Sequence, residues 1–591
     1  MMINHRELVT DCAYDVRIPM RDGISLAANI YFPKGEEGPF PAILNVTPYG
    51  KDSSRRTEVR SIFRDFAKAG YAVVHVDVRG RGNSEGEFTP YFQEINDGHD
   101  TLEWIGNQEW CNGRIGTIGR SYGGCVQLYP MRHGSRYHKA AFVMCSPSIH
   151  PFHDCTVYTS GTFTPIMITW AMLLTGRTLK QEIYDKEIDW DPILKIRPLK
   201  DIASRLGLPN DLYAPLYSHE TYDDFLKNIW NDDMIAKMKV PCYFVSGWYD
   251  DSLKGALDHF PALTKEHPDK STRGNHKLLI GPWPHALSAP FNSSEKLGDF
   301  DYGPHSVVPL DKEAVRWFDF WLKGIDNGVM KEPRVRLFLM GKNRWINSNA
   351  FPLTSTRLQR FFIASDGPSN SLSGNGKLIG TKPASSKSIK SMFTYDPSNP
   401  APSPYSKEYF QNGMNEDLRP IQRRDDVLVF TSAPLKNTVN VIGTVKAELF
   451  VSTSAVDTDF ITRLSDVHPS GYAQRLCQGV SRLRFRDGYE RIKLVKPGEI
   501  VRTTVDMWGT SQQFQKGHRI RLEVTSSAFP SIAPNFNTGG SLWEEKNPII
   551  ANQTVYHSKR YPSHLVLPII QNPRFVETWT EKRWQTNSAP E

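Results

Sequence analysis

Up to about residue 145 the chain alternates apolar runs short enough to be buried strands with stretches that place apolar residues on one helical face. PAILNVTPYG, YAVVHVDVRG and GRIGTIGR read as strands. Between them, TEVRSIFRDFAKA spaces Val59, Ile62, Phe63, Phe66 and Ala67 on one face. DGHDTLEWIGNQ reads as a second helix with Asp97 as its N-cap. DVRIPMRDGISLAANIYFP reads as two strands joined at Arg21-Asp22-Gly23. Such alternation demands a mostly parallel sheet covered by helices. From 146 to 238 proline, aromatic residues and helical patches such as FTPIMITWAMLL and ETYDDFLKNIW mix, as in an insertion. Strand patterns return at MKVPCYFVSGWYD and HKLLIGPWPH, and EAVRWFDFWLKGI closes the region as an amphipathic helix. After about 333 the pattern is of short β-rich runs (VRLFLMG, DVLVFTS, VKAELFVST, RIRLEVTSS) with turn-rich segments between them, the pattern of a β-sandwich.

GRSYGG, residues 119–124, sits between a strand and a segment that can start a helix. It fits G-x-S-x-G, in which a serine on a sharp strand-to-helix turn is exposed, with glycines where side chains would clash. The motif alone is weak. A serine also needs a base and a group to orient that base. The chain supplies both in the order Ser, Asp, His: Asp250 ends CYFVSGWYDD, and His285 ends KLLIGPWPHA. Each lies just past the carboxyl end of a strand, where open α/β sheets build their sites. Asp250 is preferred as the first acid after its strand, with Asp251 the alternative. Singly, such residues are commonly caps or loop residues; their order and placement argue for a triad of Ser121, Asp250 and His285.

Other classes fit poorly. VVHVDVRGRGNSEG spaces Gly80, Gly82 and Gly86 as G-x-G-x-x-x-G, not as a dinucleotide fingerprint. It reads instead as a tight loop in which Asp77 and Arg79 pair, and no cofactor is expected. The net charge of +7 over 591 residues, with no basic block, argues against nucleic acid. The seven cysteines never form C-x-x-C, which argues against a disulfide framework and a structural metal site. There is no apolar run of membrane-spanning length and no leader pattern at the start, so a cytoplasmic protein is expected.

Taken together, PMRDGISLAANIYFP, VTPYGKD, DVRGRGNSEGEF, GRSYGG, GWYDD, GPWPH, WFDFWLKGIDNG, MGKNRW, DVLVFTSAPL, STSAVDTDFITRLSDV and SSAFPSIAPNFNTGG resemble the cocaine esterase / X-prolyl dipeptidyl-peptidase family (CocE/NonD hydrolases), the cocaine-esterase type above all. The resemblance runs nearly end to end. It implies an α/β-hydrolase core (1–145 and 239–333), a helical cap inserted at 146–238, and a C-terminal jelly-roll β domain over 334–591. It places Ser121, Asp250 and His285 on the triad positions. It gives the Tyr49 hydroxyl and the Tyr122 backbone N–H as oxyanion-hole donors.

The resemblance implies a small-molecule ester or amide substrate and leaves homo-oligomerisation open. Phe163 and Trp170 in the cap, and Trp248 and Trp283 beside the acid and base, are candidate pocket residues. Relatives divide into esterases, α-amino-acid ester hydrolases, amidases and X-prolyl peptidases. A substrate with a free amine needs carboxylates, for which Asp154 and Asp251 are the candidates. GWYDD carries Asp251 where the family more usually has glycine, and the long N-terminal helical domain of the X-prolyl peptidases has no counterpart here. A carboxylesterase is the favoured reading. The alternatives are an amino-acid ester hydrolase or dipeptidyl peptidase, and a non-catalytic binding protein using its β-sandwich; against the last, the aspartates of SAVDTDF and the asparagines of PNFNTGG read as inter-domain loop chemistry.

Overall fold

The structure, a computed structural model, describes residues 10–52, 57–148, 150, 158–180, 192, 195–208, 219–229, 233–285, 295–385, 389–404 and 417–575. Ten strands form the first sheet: β1 (Thr10–Pro19), β2 (Ser25–Pro33), β3 (Phe40–Thr47), β4 (Ala72–Asp77), β5 (Cys111–Arg120), β6 (His138–Met144), β7 (Cys242–Tyr249), β8 (Lys277–Pro284), β9 (Val335–Leu339) and β10 (Arg344–Ser348). Their spatial order is β1-β2-β4-β3-β5-β6-β7-β8-β9-β10. From β4 across to β9 every neighbouring pair is parallel. The edges at β1, β2 and β10 are antiparallel. Residues of β4, β7 and β8 are buried along their whole length, as strands covered on both faces must be.

Helices α1 (Thr57–Lys68), α2 (Glu94–Gly106) and α3 (Tyr122–Val126) come from the first part of the chain. In the insertion lies α4 (Ile166–Leu173), and later come α5 (Leu253–Pro261) and α6 (Leu310–Lys323). Phe66 of α1 meets Phe318 of α6 at 5.9 Å, so these two helices share one side of the sheet. The described part of the insertion is less helical than its apolar spacing implies. It holds the hairpin Tyr158–Thr159/Thr162–Phe163, α4 of 8 residues, and turns of helix such as Asp224–Ile229.

Three expectations need correction. α2 begins at Glu94 after Gln93, so Asp97 lies inside its first turn and not at its cap. Asp97 is held there by Arg79, whose Nη2 donates to it at 2.6 Å. Arg79 therefore pairs with Asp97 and Asp22 and not with Asp77. Asp77 instead accepts the Lys51 backbone N–H at 2.5 Å and lies under Gly82, where a Cβ would come within 2.1 Å of its carboxylate. Finally, β9 and β10 lie beyond the break at 333 yet continue the first sheet, so the change of sheet comes after Ser348.

Among the described residues the second sheet has eleven strands between Arg357 and Ile570 and is almost wholly antiparallel. Its spine is the pair Val439–Thr453 and Val501–Phe514. Val445, Ala447, Leu449 and Val451 are buried at every second position, the period of a strand with one face on a core. Fully buried ions are paired across strands, as burial requires: Arg463 with Glu523 at 3.2 Å and Arg482 with Asp459 at 2.8 Å. Asp457 accepts from Arg484 at 2.7 Å, and Asn535 donates to both Asp457 and Asp459. The carboxylates of SAVDTDF thus bind partners within this C-terminal part of the chain.

The two sheets meet directly. The Met340 N–H donates to Ser511 O at 2.9 Å, and Met340 O accepts from Gln513 N at 2.8 Å. Lys254, at the start of α5, bridges Asp258 at 2.9 Å and Asp506 of the second sheet at 3.2 Å. Those two carboxylates raise its pKa against the cost of burial.

Candidate active site

β5 runs straight into Ser121, whose φ of 58° and ψ of −123° are rare for a residue with a side chain. The turn is tight enough that a Cβ on Gly119 would lie 2.2 Å from the carbonyl oxygen of Gly123. The Ser121 N–H is tied to Met144 O of β6 at 3.0 Å, and α3 begins at the next residue. The hydroxyl is thereby carried above the carboxyl edge of the sheet.

Asp250 follows β7, and His285 follows β8, its parallel neighbour. His285 Nε2 is 2.9 Å from Ser121 Oγ, and its Nδ1 is 2.7 Å from Asp250 Oδ1. Asp250 is buried and fully engaged: Oδ1 also accepts the Ser252 N–H at 2.9 Å, and Oδ2 accepts the Ser246 hydroxyl at 2.7 Å. Burial opposes its charge, but His285 and these hydrogen bonds outweigh burial and hold the carboxyl below the usual range. Asp251 also reaches the imidazole, with Oδ1 3.2 Å from Nδ1. Burial and the charge of Asp250 push the Asp251 carboxyl up. Burial disfavours an imidazolium at His285, yet the facing Asp251 and Asp250 raise its pKa above that of ordinary histidine. The arrangement can hold a proton taken from the serine.

Tyr49 lies in the loop after β3, the strand on the other side of β5. Its hydroxyl accepts from Trp170 Nε1 at 3.1 Å. Trp170, on α4, stacks on Tyr122 (5.8 Å, 27°) and on Tyr91 (6.3 Å, 20°). Tyr122 is buried, and its hydroxyl donates to Glu94. Burial pushes the Glu94 carboxyl up to about 7. Arg81, fully buried, donates from Nε to Pro48 O at 2.7 Å and from Nη1 to Leu174 O at 2.6 Å. It fastens the Tyr49 loop to the end of α4.

The four expected pocket aromatics part company. Trp170 sits beside Tyr49. Trp248 lines a cavity of ≈ 70 Å³ together with Asp250 and Asp251 and with Arg475 and Trp508 of the second sheet. Phe163 is buried against Trp543 at 5.4 Å. Trp283 is buried against Trp345 at 5.9 Å and donates to Ser306 O. These last two are packing residues, and Asp154 lies outside the described residues. Sequence reasoning missed Ser246, Glu94 and Arg81. Ser246 had a signal, since a hydroxyl four residues before Asp250 near the strand end can reach its carboxylate. Cys145, weighed only among the seven cysteines, lies at the site as well: its thiol, Asp250 and His285 have potential metal-ligand atoms within 4.8 Å of one another.

Residues 22–287 match the family model described as X-Pro dipeptidyl-peptidase (S15 family), and residues 327–566 match the X-Pro dipeptidyl-peptidase C-terminal non-catalytic domain. Cocaine esterase from Rhodococcus sp. (strain MB1 Bresler) is 33% identical over 582 residues, 95% of this chain and 98% of that protein. The chain belongs to the CocE/NonD hydrolase family. It is a serine hydrolase with an α/β-hydrolase core and a β-rich C-terminal domain. Two solved structures share the fold. An α-amino acid ester hydrolase has a TM-score of 0.82 at 24% identity, covering 96% of this chain and 98% of that one. An aminopeptidase from a marine sediment Thaumarchaeota archaeon has a TM-score of 0.80 at 23% identity, covering 97% and 98%. No helix among the described residues is long and apolar enough to cross a membrane.

Proposed function

We propose that this CocE/NonD hydrolase is a carboxylesterase that transfers the acyl group of a small ester to Ser121 and then to water. The observation that carries the reading is the single imidazole of His285 bridging Ser121 Oγ at 2.9 Å and Asp250 Oδ1 at 2.7 Å. His285 Nε2 takes the hydroxyl proton as Ser121 Oγ attacks the carbonyl carbon. Asp250 holds the tautomer and stabilises the imidazolium. The Tyr49 hydroxyl and the Tyr122 N–H stabilise the oxyanion. The tetrahedral adduct collapses, His285 returns the proton to the departing alkoxide, and water repeats the sequence on the acyl-enzyme. The similarity to cocaine esterase supports an ester bond as the one cleaved.

The second reading is an α-amino-acid ester hydrolase or an X-prolyl-type peptidase. It needs a carboxylate offered to the substrate's ammonium group. Asp251, the described candidate, is turned to His285 at 3.2 Å, which favours uncharged acyl groups. On the carboxylesterase reading, 146–238 is the cap that brings Trp170 over the acyl site. The buried thiols of Cys111, Cys242 and Cys477 support a reducing, cytoplasmic setting.

The test compares wild type with Ser121→Ala on aryl and alkyl esters, benzoyl esters, amino-acid esters and a glycyl-prolyl anilide. Turnover of neutral esters, abolished in the variant, is expected. Turnover confined to substrates with a free amine would overturn the reading in favour of the second.

A further inference from the structure

Among the described residues, one group of potential metal ligands lies wholly outside the candidate active site: Asp466, His468 and His518. They come from adjoining strand ends of the second sheet. Asp466 is the penultimate residue of Asp459–Val467, His468 follows two positions later, and His518 immediately precedes Arg519–Thr525, the strand that pairs with it. One ligand atom from each lies within 4.8 Å of the other two. His518 Nδ1 is 2.8 Å from Asp466 Oδ1, and the two imidazoles lie 4.5 Å apart, tilted by 33°.

We propose that these three side chains bind a late first-row divalent cation, zinc above all. Two imidazoles and one carboxylate suit zinc, whereas calcium and magnesium prefer all-oxygen shells. Donors about 2.1 Å from a tetrahedral ion lie about 3.4 Å apart, so the widest separation here closes by up to about 1.4 Å when the ion binds. The carboxylate is fully buried, and its second oxygen accepts from Gln512 Nε2 at 2.8 Å, the outer hydrogen bond that orients a ligating carboxylate. Both histidines are part-exposed, which gives the ion a path in and leaves a position for water. His468 also begins the turn that ends at Tyr472, where the Tyr472 N–H lies beside Ser470 and the Tyr472 hydroxyl donates to Asp299 Oδ2 at 2.8 Å. Asp299 belongs to the turn between the short strands Lys296–Leu297 and Phe300–Asp301 of the hydrolase half. A cation here clamps that turn, and with it a contact between the two halves of the chain.

The experiment uses full-length protein stripped with a chelator, then titrated with cobalt(II) and zinc(II). One equivalent of cobalt should give a ligand-field absorption that zinc abolishes, and zinc should raise Tm. His468→Ala and His518→Asn should each weaken cobalt binding by at least about tenfold, and His468 is a rim residue whose removal leaves the buried Asp466–Gln512 bond in place. Cys145→Ser should leave the binding unchanged. No cobalt spectrum, wild-type affinity in both histidine variants, or a spectrum lost only in Cys145→Ser would each overturn the proposal; the last would assign the metal to Cys145, Asp250 and His285 instead.

Discussion

Asp251→Asn separates the two carboxylates that face His285. The Asp251 oxygen is 3.2 Å from Nδ1. Even at the dielectric constant of water, unit charges at that distance attract by about 1.3 kcal/mol, or about one pKa unit. That is the lower bound to use here, because the Asp251 side chain is 35% exposed. The sign follows from the proposed mechanism, in which His285 must be neutral to accept the Ser121 proton. The facing carboxylates hold its pKa up, so activity is lost as pH falls through that raised value. Removing the charge of Asp251 lowers the pKa and extends activity to lower pH. One unit below the wild-type midpoint, kcat/KM relative to its plateau should rise about fivefold. The plateau itself should change little, because Asp250 still orients the ring. Asp250→Asn should instead lower kcat by about 10⁴ at every pH. The assay is the pH dependence of kcat/KM for an activated aryl ester with all three proteins. If Asp251→Asn collapses the plateau as far as Asp250→Asn, or leaves the acid limb where it was, the reasoning is wrong.

Tyr49→Phe should lower kcat by about 10²–10³ with a smaller change in KM, measured by steady-state ester hydrolysis. Gly119→Ala forces a methyl to within 2.2 Å of the Gly123 carbonyl and should abolish labelling of Ser121 by a serine-directed phosphonate, with a lowered Tm by calorimetry. Arg463→Met leaves Glu523 buried without its cation and should cost about 3–5 kcal/mol in denaturant unfolding. Arg463→Met combined with Glu523→Leu should recover most of that loss.

The positions of Ser121, Asp250 and His285 were legible because each ends an apolar run, and in a parallel sheet the ends of adjacent runs converge. The reach of Asp251 was not legible in the same way. Neighbouring side chains on a strand point apart, but Asp250 and Asp251 follow β7 on a turn, where both can approach one imidazole. The aromatics failed for another reason: Trp170 and Trp283 are equally apolar in sequence, and only tertiary packing puts one beside Tyr49 and the other against Trp345. VRLFLMG was read with the C-terminal strands because a short apolar run carries no mark of the sheet it joins. Arg79 has acids on several elements within reach, and nothing in DVRGRG says that Asp97, on the next helix, and Asp22 are the two it meets.

The bridge from Lys254 to Asp506 makes the hydrolase half and the C-terminal sheet a single thermodynamic object. Lys254 opens α5, whose chain leads directly from Asp250, and its charge is compensated from both sides of the seam. An excised hydrolase half would leave the Lys254 ammonium with Asp258 but without Asp506, on the helix that follows Asp250. The C-terminal sheet is therefore no passive appendage. It is a buttress for the acid loop, and calorimetry should show the catalytic geometry lost in the same transition as the β domain.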